Sequence, residues 1–312
     1  MRAVGLFTQG DPDVLQVVDV PEVHAGPGEV RIRVHAATVN PTDVAVRNGA
    51  RAERQKADPP PYVPGMEAAG IIDEVGDGVP DRLKVGDAVI AIVVPKGNHG
   101  AYREQIVLDA RSVARAPAGA THAEAATLPM NGLTARQSLD LLALSPGQVL
   151  AVTGAAGAYG GYIIQLAKAE DLTVIADASE RDEALVAALG ADIVVRRGDD
   201  VAARFRGHFP DGVDGLADGA VLNERAIPAV RDGGAFTSVR GFVGDPQRDI
   251  RFTATLVSSY AQAWEKLDRL RQQVEAGQIT LRVAEIYPPE RAADAHRRLE
   301  AGGTRGRLVI RF

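Results

Sequence analysis

Apolar and polar residues alternate along Val30-Arg31-Ile32-Arg33-Val34, the period-two pattern of a half-buried strand. Gly26-Pro27-Gly28-Glu29 before it is turn chemistry. The pattern returns at 71–75 and 89–94, with Gly76, Gly78 and Gly86-Asp87 between the two runs. Short strands so closely spaced predict a small, mostly antiparallel β domain. The texture changes near Thr121. An Ala/Leu-rich helical segment covers 122–144, with a break expected at Asn131-Gly132 and a stop at Ser145-Pro146-Gly147.

Beyond that stop, strands and helices alternate: strand 149–153, helix 157–169, strand 172–176, helix 181–189, strand 192–195, then strands at 212–217 and 235–239. Short apolar strands separated by amphipathic helices predict a doubly wound parallel sheet covered on both faces. Its expected limits are 122–278. Strand texture resumes at 279–286 and 308–310, on either side of a polar helix at 289–301. These last elements are expected to rejoin the β domain, which would then consist of 1–121 and 279–312.

The first turn of the alternating region carries the sharpest chemical signal. An apolar strand, Val149-Leu150-Ala151-Val152-Thr153, runs into Gly154-Ala155-Ala156-Gly157-Ala158-Tyr159-Gly160 and then into a helix. A dinucleotide fold needs this arrangement because the backbone must approach a pyrophosphate closely. The helix end then offers N–H groups and partial positive charge. Gly157 and Gly160 fill the second and third glycine positions of the fingerprint, and Ala155 stands in the first. A tight turn without ligand is the plainer alternative. After the next strand comes Asp177-Ala178-Ser179, where an acidic side chain often binds the ribose hydroxyls of NAD. Arg181 and Arg197 nearby are suited instead to the 2′-phosphate of NADP. Both signals have bland counterparts, since Asp177 could cap a helix and the arginines could lie on a solvated face.

Composition removes whole classes of function. The chain has 312 residues, enough for two domains, and a formal charge of −6 that gives no reason to expect nucleic acid or an anionic membrane as partner. It contains no cysteine, which excludes disulfides, thiolate nucleophiles and every cysteine-ligated zinc site. No apolar run approaches the roughly 18 residues that span a bilayer, and the first residues do not read as a secretory signal. The expectation is a cytoplasmic protein.

Across essentially its whole length the sequence resembles the zinc-free medium-chain dehydrogenases/reductases, and among them the quinone oxidoreductases. The resemblance rests on Asn40-Pro41-Thr42-Asp43, on Pro64-Gly65-Met66-Glu67-Ala68-Ala69-Gly70 with Val75-Gly76-Asp77-Gly78-Val79, and on Val85-Gly86-Asp87-Ala88-Val89. Gly100-Ala101-Tyr102-Arg103-Glu104, Ala125-Ala126-Thr127-Leu128-Pro129 with Gly132-Leu133-Thr134-Ala135, and Gln165-Leu166-Ala167-Lys168-Ala169 follow in order. The resemblance implies an α/β protein with a GroES-like β domain plus a doubly wound Rossmann domain. It also implies NADPH as cofactor and a homodimer formed through the Rossmann sheet edge, for which 235–240 is the candidate strand. Asn40, Asp43 and Thr127 are the candidate catalytic residues, with Asn40 and Asp43 beside the nicotinamide, Thr127 and Thr134 facing the cofactor, and Gly241-Phe242-Val243 resembling the family segment that meets the carboxamide. The simpler readings are that Asn40 and Asp43 hold a turn and that the threonines cap helices.

Two departures from the zinc-dependent relatives matter. Asn40 stands where they carry a cysteine and Met66 where they carry a histidine, and neither is a zinc ligand of ordinary strength. The six histidines form no close metal-binding pair and read as surface or capping groups. Hydride transfer to a plain ketone builds an alkoxide that needs a Lewis acid or a strong proton donor. Quinones and enones give delocalised anions instead, so the expected reaction is NADPH-dependent, zinc-independent reduction of quinones or other activated acceptors. Ala45 replaces a tyrosine common in relatives, which leaves water to supply the proton. The alternatives are an enoyl or alkenal reductase, an NAD(H)-linked alcohol dehydrogenase-like enzyme, and, from another class, a non-catalytic NADPH-binding protein. Loops 51–62 and 242–252 are expected to border the substrate.

Overall fold

The computed structural model describes residues 1–55 and 57–312; Lys56, inside the expected substrate loop 51–62, lies outside the described residues. The chain divides into two compact units, one of Met1–Met130, Ala261–Glu275 and Leu281–Phe312, the other of Asn131–Tyr260 and Ala276–Thr280.

In the first unit, β1 (Arg2–Gly5) and β2 (Gln16–Asp19) form an antiparallel pair. The main sheet uses β3 (Glu29–Thr38), β4 (Glu67–Val75), β5 (Ala88–Ile92), β6 (Gln105–Asp109) and β7 (Val113–Arg115). Alternation along β3 is what the pleat requires: Val30, Ile32 and Val34 are buried, while Arg31 reaches across to Asp73 at 2.7 Å. Gly70 on β4 has a steric reason. A Cβ there would lie 2.0 Å from the Arg33 carbonyl oxygen, so the two backbones could not pair as they do.

The second unit carries six parallel strands: β8 (Val149–Thr153), β9 (Thr173–Ala178), β10 (Ile193–Arg196), β11 (Val213–Asp218), β12 (Val230–Ser238) and β13 (Arg251–Ala254). Their spatial order is β10-β9-β8-β11-β12-β13. The order reverses between β8 and β11, the point at which doubly wound sheets bind ligands outside their carboxyl ends. The helix Ala158–Ala169 links β8 to β9. β14 (Val283–Tyr287) and β15 (Arg307–Arg311) then return to the first unit, completing the order β14-β15-β3-β4-β5-β7, with β6 also paired to β3.

Several expectations shift. The helical segment 122–144 breaks before Pro129 rather than at Asn131-Gly132, giving helices His122–Ala125 and Pro129–Leu142. Proline lacks an N–H, so it opens a helix far more readily than it continues one, whereas an interior glycine is tolerated. The expected edge strand 235–240 is corrected as well. β12 is paired on both sides, and among the described residues the edge on that side of the sheet is β13, which the sequence pattern did not reveal. The helix Trp264–Glu275 groups with the first unit, as does 122–130, although both fell within the expected Rossmann limits. Side-chain contacts account for the helix. Leu267 and Leu270 are buried, the Arg82 guanidinium sits 4.1 Å above the Trp264 ring, and Glu275 accepts the Ala118 N–H at 2.8 Å.

Candidate active site

The glycine turn lies at the carboxyl end of β8, on the switch point. Gly154 has φ +67°, in the left-handed region that favours glycine. Gly160 is required by packing, because a Cβ there would stand 2.4 Å from the Gly154 carbonyl oxygen and 2.6 Å from the Ala155 Cα. Gly157 is the N-cap of the helix Ala158–Ala169 and has no side chain to occupy the first N–H groups. An N-terminus of this kind, with its helix dipole, is suited to an anion such as a phosphate.

Asp177 is not displayed at the end of β9. It is buried, and its Oδ1 accepts the Ala155 N–H at 3.1 Å, so the carboxylate supports the turn from beneath. Burial pushes its carboxyl above the usual range, against the pull of the turn's N–H groups and of Arg197. Ala178 is buried and Ser179 donates its hydroxyl to Asp182. The Arg181 side chain is 71% exposed, 3.9 Å from Asp182, and Arg197 is exposed, its own N–H donated to the Ala178 carbonyl. Two exposed cations therefore flank the carboxyl end of β9.

Across the switch point Thr153 donates to Asp218 at 2.6 Å, and Asp218 also accepts the Asn223 N–H at 2.8 Å. The sequence reading missed Asp218. The Asp-Gly pair ending a strand was its visible trace. Tyr159 donates to Ser138, whose hydroxyl meets the Thr134 carbonyl and Thr255. Thr134 is itself buried. Farther on, Gly241 has φ +80°, Val243 is 59% exposed, and Phe242 packs edge-on against Phe236 at 5.9 Å.

In the first unit the candidates enter one buried polar network. The Asn40 amide donates to Glu67 at 3.2 Å and to the Thr38 carbonyl at 3.3 Å, and its oxygen accepts from Arg307 at 2.8 Å. Arg307 pairs with Glu67 at 2.5 Å, and Glu67 also accepts the Met130 N–H at 2.7 Å. Asp43 accepts the N–H groups of Asn40 (2.8 Å) and Gly65 (2.9 Å) and the Tyr102 hydroxyl (3.2 Å). Burial outweighs these donors and pushes Asp43 up to about 6. Tyr102 also lies 3.3 Å from Nε2 of His296, a fully buried histidine rather than the expected surface group. Its pKa falls to about 3 through burial and the nearby Arg47 cation. Thr127 is buried, with its hydroxyl donated to the Glu124 carbonyl. Glu67, Tyr102, His296 and Arg307 are the members that sequence reasoning missed; Arg307 offers no local signal at all.

Among the described residues no group of three or more His, Cys, Asp or Glu could hold a metal ion. His35 and His122 stack face to face, centroids 4.5 Å apart, an arrangement in which the rings do not converge on a shared ion.

Residues 26–131 match the family model of the alcohol dehydrogenase GroES-like domain, and 189–310 match that of the zinc-binding dehydrogenase. The chain is 31% identical over 322 residues to the chloroplastic NADPH-dependent alkenal/one oxidoreductase of Arabidopsis thaliana, covering 99% of this chain and 79% of that one. It is 30% identical over 334 residues to the quinone oxidoreductase of Mus musculus, covering 99% and 97%. The chain belongs to the medium-chain dehydrogenase/reductase family, with its quinone oxidoreductase-like members. A solved NAD-dependent alcohol dehydrogenase superposes on this chain with a TM-score of 0.88 at 30% identity, each chain covered in full. The GroES-like and Rossmann folds expected from the sequence are present, and the protein is an oxidoreductase. No helix in its described residues is long and apolar enough to cross a membrane.

Proposed function

We propose that this medium-chain reductase transfers a hydride from NADPH to a quinone or another activated acceptor such as an enone, without zinc. The observation that carries the reading is the glycine turn at the β8–β11 switch point, with the support of Asp177 directed into the turn. A carboxylate displayed at the ribose would repel a 2′-phosphate. Here Asp177 is spent on the turn, while Arg181 and Arg197 flank the strand end, which favours NADPH over NADH.

The bound dinucleotide would supply the hydride. The turn and the helix N-terminus would hold its pyrophosphate, and Arg181 with Arg197 its 2′-phosphate. Gly241, Phe242 and Val243 are the proposed backbone stretch for the carboxamide. Asn40, Asp43 and Thr127 are reassigned from reacting groups to positioning groups, since all three are buried and hydrogen-bonded within the first unit. With an amide at 40 and a thioether at 66, the residues do not suit zinc, whatever the second family model's name. An acceptor whose product anion is delocalised needs no such Lewis acid. The Arabidopsis relative's name points to alkenals and enones and the mouse relative's to quinones, so both belong in the test.

Oxidation of NADPH and NADH should be followed against a panel of quinones and enones, before and after dialysis against a chelator. The reading expects turnover with NADPH that survives chelation. Activity abolished by the chelator and restored by zinc would overturn it, and tight NADPH binding without turnover on any acceptor would favour a non-catalytic binding protein.

A further inference from the structure

We infer that Ser138 is a positioning residue for the dinucleotide turn, acting through the hydroxyl of Tyr159. The inference rests on the dinucleotide reading above and goes beyond it by naming what holds the turn in place. Tyr159 is the second residue of the helix Ala158–Ala169, within the stretch that would meet a pyrophosphate. Its ring lies against Gly219 so closely that a Cβ on Gly219 would stand 2.7 Å from the ring and 2.8 Å from the Thr153 carbonyl oxygen. Gly219 directly follows β11, and Thr153 ends β8. The tyrosine therefore sits over the two strand ends between which the sheet order reverses.

The first turn of this helix has no side-chain cap, because its N-cap is glycine. Its aim is set instead by what the first helical side chains hold. Tyr159 donates to Ser138 at 2.8 Å. Ser138 lies 3.0 Å from the Thr134 carbonyl and 3.0 Å from the Thr255 hydroxyl, which lies 3.2 Å from the hydroxyl of Thr237. Ser138, Thr237 and Thr255 are buried, so their hydroxyls must find partners within the protein, as this chain of bonds supplies. Four hydroxyls thus tie the cofactor helix to the helix Pro129–Leu142, to β12 and to the segment after β13. Ser138 meets both Tyr159 and this chain of threonines. Removing its hydroxyl leaves Tyr159 without an acceptor and frees the first helical turn to tilt.

The test is a double-mutant cycle on dinucleotide affinity, using Tyr159→Phe, Ser138→Ala and the double variant. Dissociation constants for NADPH and NADH are read by nicotinamide fluorescence well below each variant's melting temperature, with urea midpoints measured alongside. A single neutral hydrogen bond moves an equilibrium by about two- to tenfold. Each single variant should raise both dissociation constants by that factor, and the double should exceed the larger single by less than about twofold. The NADPH/NADH ratio should stay fixed, because the turn meets the part common to both. Affinities within twofold of wild type in both singles, or fully additive losses, would show that the hydroxyls only fill the core. A ratio that shifts would place the effect at the adenosine end and overturn the inference equally. A wild type that binds neither dinucleotide would overturn both this inference and the reading beneath it.

Discussion

Gly157 and Gly160 are three residues apart and serve different masters. A Cβ at Gly157 would meet only the Gly154 carbonyl oxygen, at 3.1 Å, in a backbone conformation with φ −68° open to any residue. Gly157→Val should therefore leave the melting temperature within a few degrees while weakening NADPH binding by on the order of a hundredfold, by filling the phosphate's space. Gly160→Ala places a methyl among backbone atoms that cannot move aside. It should cost about 1–3 kcal/mol of stability in urea denaturation. The reverse ranking in either assay would show that the two roles are misassigned.

Also at this scale, Asp43 and His296 give a pH dependence whose signs oppose. Asp43 rises from 3.8 to about 6 on folding, so the folded state holds the extra proton between those values and stability falls as pH rises through them. His296 drops from 6.5 to about 3, so the unfolded chain holds the extra proton and stability falls as pH drops below about 6.5. His296→Asn should remove the second loss, and the variant's deficit in urea should be smaller at pH 5 than at pH 7. A deficit independent of pH would mean that His296 titrates normally. The Asp43 carboxyl carbon, followed by NMR, should show a midpoint near 6.

Among the elements, β9 and the residues beyond it carry the proposed cofactor preference. Asp177 lies on β9 itself, whereas Arg181 and Arg197 lie just beyond the ends of β9 and β10. Asp177 takes the inward place, and Ser179, Arg181 and Arg197 surround the exit. Arg181→Ala and Arg197→Ala should each lower the NADPH/NADH ratio of catalytic efficiencies by about tenfold, at the modest end for exposed charges. An unchanged ratio in both variants would return the choice to NADH or to indifference.

For the whole molecule, β13 is an edge of the six-stranded sheet among the described residues, flanked by Leu256 at 62% exposure. An unprotected edge invites pairing, and a symmetric dimer would close it. The chain should scatter light with twice its 32.9 kDa mass, and Ala254→Pro on β13, whose N–H faces away from β12, should shift it toward monomer. A wild-type monomer at micromolar concentration would sink the proposal.

The sequence by itself determined the class of fold, the alternation of strands and helices from 149 to 195, and the glycine turn. These rest on local quantities: the period of apolar residues, turn chemistry, and the glycines that a close backbone approach demands. It also showed an amide and a thioether at positions 40 and 66, which reading alone can see. Only the tertiary structure decided where the side chains spend their bonds. Asn40 meets Arg307 across 267 residues, and Tyr102 meets His296 across 194, pairings that no local pattern encodes. Asp177 could be placed near the turn by counting, but whether its carboxylate faced the ribose or the backbone depended on strand register. The sheet edge moved from β12 to β13 for the same reason, because strand pairing is a long-range choice and a four-residue strand leaves too short a period to read.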